Sequence, residues 1–75
     1  MKKLFVKISN INDVDTFVQK ARAVDGDILV SRGKFCVDGK SVLGMFSLNV
    51  SEGCQVEYPE DAIDFEEFLQ QFVGE

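Results

Sequence analysis

A chain of 75 residues has room for one small domain, residues 1–75, and not for a second core. Its 45% hydrophobic content and seven phenylalanines exclude an intrinsically disordered chain. A net charge of -5 provides no general attraction to phosphate backbones, so nucleic acid is not an expected partner.

Residues 3–8 alternate in part, with Leu4, Val6 and Ile8 on one face and Lys3, Phe5 and Lys7 on the other. That pattern predicts a strand. Met1-Lys2-Lys3 is basic, but Lys7, Ser9 and Asn10 follow where a signal peptide would have its apolar core. No apolar run is long enough to cross a membrane, so a cytoplasmic location is expected. Ser9, Asn10 or Asn12 can cap a helix predicted over residues 12–24. There Val14, Phe17, Val18, Ala21 and Val24 recur at three- and four-residue spacing, and Gly26 supplies a stop.

Residues 27–32 and 34–38 read as two strands joined tightly at Arg32-Gly33-Lys34. Ile28 and Val30 would face inward on one, Phe35 and Val37 on the other. Asp38-Gly39 makes the next turn. Ser41 then precedes a short helix predicted over residues 41–47, where a serine is a favoured cap. Ser51-Glu52-Gly53 is a turn, and residues 54–58 form the last strand, with Cys54, Val56 and Tyr58 pointing inward. Pro59 suits the start of a final helix predicted over residues 60–73. Its apolar stripe is Ala62, Phe65, Phe68, Leu69 and Phe72.

The order β-α-β-β-α-β-α makes an α+β fold: a four-stranded antiparallel sheet with its helices on one side. The other sheet face is open. Phe5, Leu29 and Cys36 are placed there, and clustering would make that face a homodimer or partner surface.

Chemistry-bearing residues are sparse. There is no histidine. Cys36 and Cys54 lack metal-ligand spacing, point to opposite faces, and read as small packing residues rather than a disulfide. From Glu57 onward the only charges are acids: Glu57, Glu60, Asp61, Asp64, Glu66, Glu67 and Glu75. They read as a solvated helix face rather than a metal site, and acids in a first turn suit the helix dipole. Glu66 and Glu67 are helix neighbours that do not face a common point. With no activated nucleophile and no Gly-rich phosphate loop, no catalytic residue, metal or cofactor is expected.

One stretch is more specific. Lys40-Ser41-x-x-Gly44-x-x-Ser47-Leu48 resembles the regulatory-serine segment of the HPr phosphocarrier family. Phe17-Val18-Gln19-Lys20-Ala21, Asp27-Ile28, Asp38-Gly39, Gly53 and Val56 extend the likeness from Phe17 to Tyr58. The resemblance implies HPr's open-faced β-sandwich. It also implies a phospho-acceptor histidine and a nearby arginine, which ungapped counting from Ser41 places at Asn10 and Asn12. An asparagine amide has no comparable basic lone pair to carry a phosphoryl group. Asn49 stands where the family usually has glycine, and the connection after Tyr58 is shorter than usual.

The chain is therefore similar to a histidine-lacking HPr paralogue that acts in carbon catabolite repression. What the resemblance implies is a regulatory protein that does not relay phosphate. An HPr-type kinase would modify Ser41, beside Lys40. A transcription regulator or metabolic enzyme would dock on Val42, Leu43, Met45 and Phe46. The alternative is a constitutive binding module of the same fold with no phosphorylation.

Overall fold

Strand β1 (Lys2–Val6) pairs antiparallel with β4 (Cys54–Tyr58), and β4 pairs antiparallel with β2 (Leu29–Arg32). A hairpin joins β2 to the edge strand β3 (Phe35–Asp38), giving the order β1-β4-β2-β3. This is a computed structural model, and it describes residues 1–73. Gly74 and Glu75, at the end of the expected 1–75 domain and acidic run, lie outside those residues.

The register separates the two sheet faces. Leu4, Val56, Val30 and Val37 lie side by side on the inner face. Phe5, Gln55, Ser31 and Cys36 make the corresponding row on the outer face. Against the inner face pack helices α1 (Ile11–Arg22), α2 (Val42–Ser47) and α3 (Ile63–Gln70). They contribute Val14, Phe17, Val18, Ala21, Met45, Phe65 and Leu69 to one core with Val6, Val30, Cys54, Val56 and Tyr58. The fold is the α+β open-faced sandwich, with the order β-α-β-β-α-β-α.

Several expected boundaries shift, each for a local reason. β1 stops at Val6 because Lys7 donates its N–H to the Phe72 carbonyl (2.9 Å) and Ile8 to that of Val50 (3.3 Å). Helix α1 begins at Ile11 because the Asn10 side chain accepts from the Asn12 N–H at 2.8 Å. It ends at Arg22, well before Gly26, whose φ of 124° serves the following loop. Helix α3 begins four residues after Pro59. Residues 59–62 form a turn closed by Ala62 N–H to Pro59 C=O (3.1 Å), and the cap residue Ala62 has no side-chain oxygen to start the helix earlier. Residues 50–52 coil into a 3₁₀ turn rather than a simple bend.

Phe35 departs from its expected inward role. It follows the hairpin turn on an edge strand, opposite Arg32, and is 72% exposed although Val37 on the same face is partly buried. On the open face Phe5 and Cys36 sit on opposite edge strands, separated by Gln55 and Ser31, while Leu29 lies between Glu57 and Asp38. The three do not form a continuous apolar patch.

Candidate functional site

Ser41 is positioned by the turn that leaves β3. Gly39 donates its N–H to the Ile28 carbonyl at 2.7 Å, and its Cα hydrogen faces the Ile28 side chain with no room for a Cβ. The Asp38 carboxylate accepts from the Lys40 N–H (2.9 Å) and the Asp38 carbonyl from the Ser41 N–H (3.0 Å). Ser41 is thereby held extended, with φ -110° and ψ 117°. Its Oγ accepts from the Gly44 N–H at 3.1 Å and caps α2. The side chain is half-buried.

Two cations border this turn. Lys40 Nζ donates to the Val24 carbonyl at 2.9 Å. Arg22 Nε, from the last residue of α1, donates to the Lys40 carbonyl at 3.1 Å. Among the described residues neither makes an ion pair with a carboxylate. Sequence reading named Lys40 but not Arg22. Only the packing of α1 beside α2 brings Arg22 here, and no local pattern signals it.

The expected docking residues separate. Leu43 is 82% exposed and Phe46 48%. Val42 is partly buried against the core. Met45 is fully buried and is a core residue, which corrects its assignment as a docking residue. Its position three residues after Val42 turns it toward the sheet, whereas Leu43 and Phe46 lie on the outer side of the short helix.

Asn10 and Asn12 are both exposed and both serve the start of α1: Asn10 as the cap, and Asn12 by donating its N–H to that cap and accepting from Thr16 Oγ1 at 3.0 Å. Asn10 and Phe46 line one shallow depression of about 160 Å³, shared with Ile11, Asn49 and Ser51. Ser41, Val42 and Leu43 do not line it. Ile11, 70% exposed, was missed in sequence because it lies off the helical stripe. Asn49 adopts a left-handed φ of 56°, a conformation that asparagine enters more readily than most residues, which explains how it can stand at a position where glycine is usual.

The remaining reactive groups lie elsewhere. Burial pushes the Cys54 thiol up to about 11, with only partial opposition from Arg32, so it is protonated at neutral pH. Cys36 is exposed on the open sheet face. Among the described residues no three Cys, Asp or Glu side chains converge as a cation site, and no helix is long and apolar enough to cross a membrane.

Comparison with known proteins agrees with this geometry. Residues 13–73 match the PTS-HPr family, described as the PTS HPr component phosphorylation site. Among solved structures, the chain is similar to HPr-C-His from Thermoanaerobacter tengcongensis, with 25% identity and a TM-score of 0.78, over 97% of this chain and 91% of that one. It is also similar to the phosphocarrier protein HPr from Bacillus anthracis, with 24% identity and a TM-score of 0.69, over 97% of this chain and 96% of that one. No curated protein matches. The family match spans most of the chain, the sheet order and helix placement agree with it, and the chain belongs to the PTS-HPr family.

Proposed function

We propose that this chain is a non-catalytic regulatory member of the family, acting by protein docking in carbon or sugar-uptake control. Its carrier function is lost. The observation that supports this most is Asn10. The chain has no histidine, and the residue at the counted carrier position uses its side chain to cap α1. Asn12, at the counted arginine position, supplies no cation. Ser41 is the regulatory handle, modified by an HPr-type kinase in the cytoplasm. Leu43 and Phe46 offer exposed apolar side chains to a transcription regulator or metabolic enzyme, and Phe46 shares its depression with Ile11 and Asn10. Phosphate at Ser41 would place new charge at the base of that helix and change its docking.

The test pairs a bifunctional HPr kinase with wild type and Ser41→Ala, using ordinary HPr as positive control. Acid-stable label on wild type alone supports the reading. An unlabelled wild type beside a labelled control, or equal label on Ser41→Ala, rejects Ser41 as the handle.

A second reading is a constitutive binding module without phosphorylation. It is favoured by the Ser41 cap itself, since Oγ is already engaged with the Gly44 N–H and half-buried. A kinase would have to open that bond.

A further inference from the structure

Among the described residues the basic pair beside Ser41 makes no ion pair. In a chain of net charge -5, Arg22 Nε bonds the Lys40 carbonyl and Lys40 Nζ the Val24 carbonyl, so that among the described residues both cations are satisfied by backbone carbonyls rather than carboxylates. The Lys40 carbonyl that receives Arg22 Nε belongs to the peptide whose nitrogen is Ser41's own. The guanidinium is thus anchored through one nitrogen, a single residue from Ser41 Oγ. Arg22 is exposed at the end of α1, and among the described residues the bond to the Lys40 carbonyl is its one side-chain hydrogen bond. Lys40 Nζ is more constrained, because its contact with the Val24 carbonyl is partly buried and that oxygen would lose its partner.

We propose that Arg22 is the built-in counter-ion of a phosphate on Ser41. Modification draws its guanidinium from the Lys40 carbonyl onto the phosphate and ties the end of α1 to the start of α2. This rests on the reading of Ser41 as the modified residue. The transfer forms a bond between Ser41 Oγ and the γ-phosphorus of a nucleoside triphosphate. It breaks that phosphorus's bond to the bridging oxygen, which leaves with the nucleoside diphosphate. The hydroxyl proton passes to the kinase's base. Oγ then becomes an ester oxygen and a poorer cap, while three terminal oxygens accept hydrogen bonds. A guanidinium's planar fork can meet two of them with parallel N–H donors, a geometry an ammonium lacks. The Asp38 carboxylate, bound to the Lys40 N–H, is an opposing charge on the same turn.

The experiment installs phosphoserine at position 41 during synthesis, so that it needs no kinase. The phosphate is then titrated by phosphorus NMR in the wild-type background and in Arg22→Gln, Arg22→Lys and Lys40→Gln. Amide spectra check that each variant is folded. Pairing with Arg22 favours the dianion, so the phosphate's midpoint should lie lower in wild type than in Arg22→Gln, by roughly 0.3 to 0.7 units for a partly exposed pair. Arg22→Lys should recover part of the difference, and Lys40→Gln should shift the midpoint less than Arg22→Gln does. Equal midpoints in wild type and Arg22→Gln, or a larger shift from Lys40→Gln, overturn the assignment. Failure of the kinase assay above would reject the modification reading, while this titration would still decide whether Arg22 holds the phosphate.

Discussion

Tyr58 donates its phenolic hydrogen to Glu66 at 2.6 Å, and the oxygen that accepts it also receives the Lys2 ammonium at 3.0 Å. One carboxylate of α3 thus joins the last sheet strand to the first. The Tyr58 hydrogen bond, then Lys2, hold Glu66 below the usual carboxylate range. A depressed folded value contributes stability that is complete above the unfolded value of about 4.3 and is lost as pH falls through the folded one. Acid titration of stability should show this loss in wild type and a shallower slope in Glu66→Gln. An unchanged slope would remove Glu66 from the acid transition.

The same contact has an alkaline signature. Burial, then the bond to Glu66, pushes Tyr58 up to about 12. Here the folded state holds its proton more tightly, so stability is full below the unfolded value of about 10 and falls as pH rises from there toward 12. Tyr58→Phe should lose about 1 kcal/mol at neutral pH and lack this alkaline decline. Denaturant melts at pH 7 and pH 11 check both parts.

Gly53 should tolerate no side chain. Its φ is 110°, and a Cβ there would enter the Phe5 ring. Gly53→Ala should destabilise by about 1–3 kcal/mol. Adding Phe5→Ala should relieve the clash but not the backbone strain, so the double variant should be more stable than additivity implies. Thermal melts of the two single variants and the double variant measure the coupling.

Neighbouring positions on α2 should part company. Met45→Ala should cost about 2–5 kcal/mol, because its side chain is fully enclosed. Leu43→Ala should leave stability within about 0.5 kcal/mol, since little of that side chain is covered. Urea melts separate the two. An effect of Leu43→Ala on partner binding without one on stability would mark it as a docking residue.

Incubation with enzyme I and labelled phosphoenolpyruvate should leave no acid-labile phosphate on this chain. Asn10→His alone should not restore full transfer, because Asn12 supplies no cation to hold the phosphoryl group. Stoichiometric labelling of wild type would overturn the loss of carrier function.

Much of the fold was legible because periodicity reports burial directly. The stripe from Val14 to Ala21 and the alternation of Cys54, Val56 and Tyr58 each mark an element whose inner face is enclosed. Ser41 was legible as a cap because capping is a local property of a residue and its next turn. Met45 reads as a docking residue because four apolar residues within five positions carry no phase: only the docked helix decides which face the sheet. Phe35 was misread because alternation gives the face but not whether a helix covers that end of it. Arg22 with Lys40 and Lys2 with Glu66 join residues far apart in sequence, and Tyr58 meets Glu66 across a strand-to-helix turn that no periodicity signals.

The sheet order also governs how the chain can assemble as it is made. The hairpin of β2 and β3 is local and can close as soon as its residues are available. β1 has no such neighbour: its ladder partner is β4, more than forty residues downstream. During vectorial synthesis the first strand must therefore remain unpaired until Cys54–Tyr58 has emerged, with Leu4 and Val6 exposed in the meantime. Slowing translation before Cys54 should extend the lifetime of that open edge, and with it the window for misassembly.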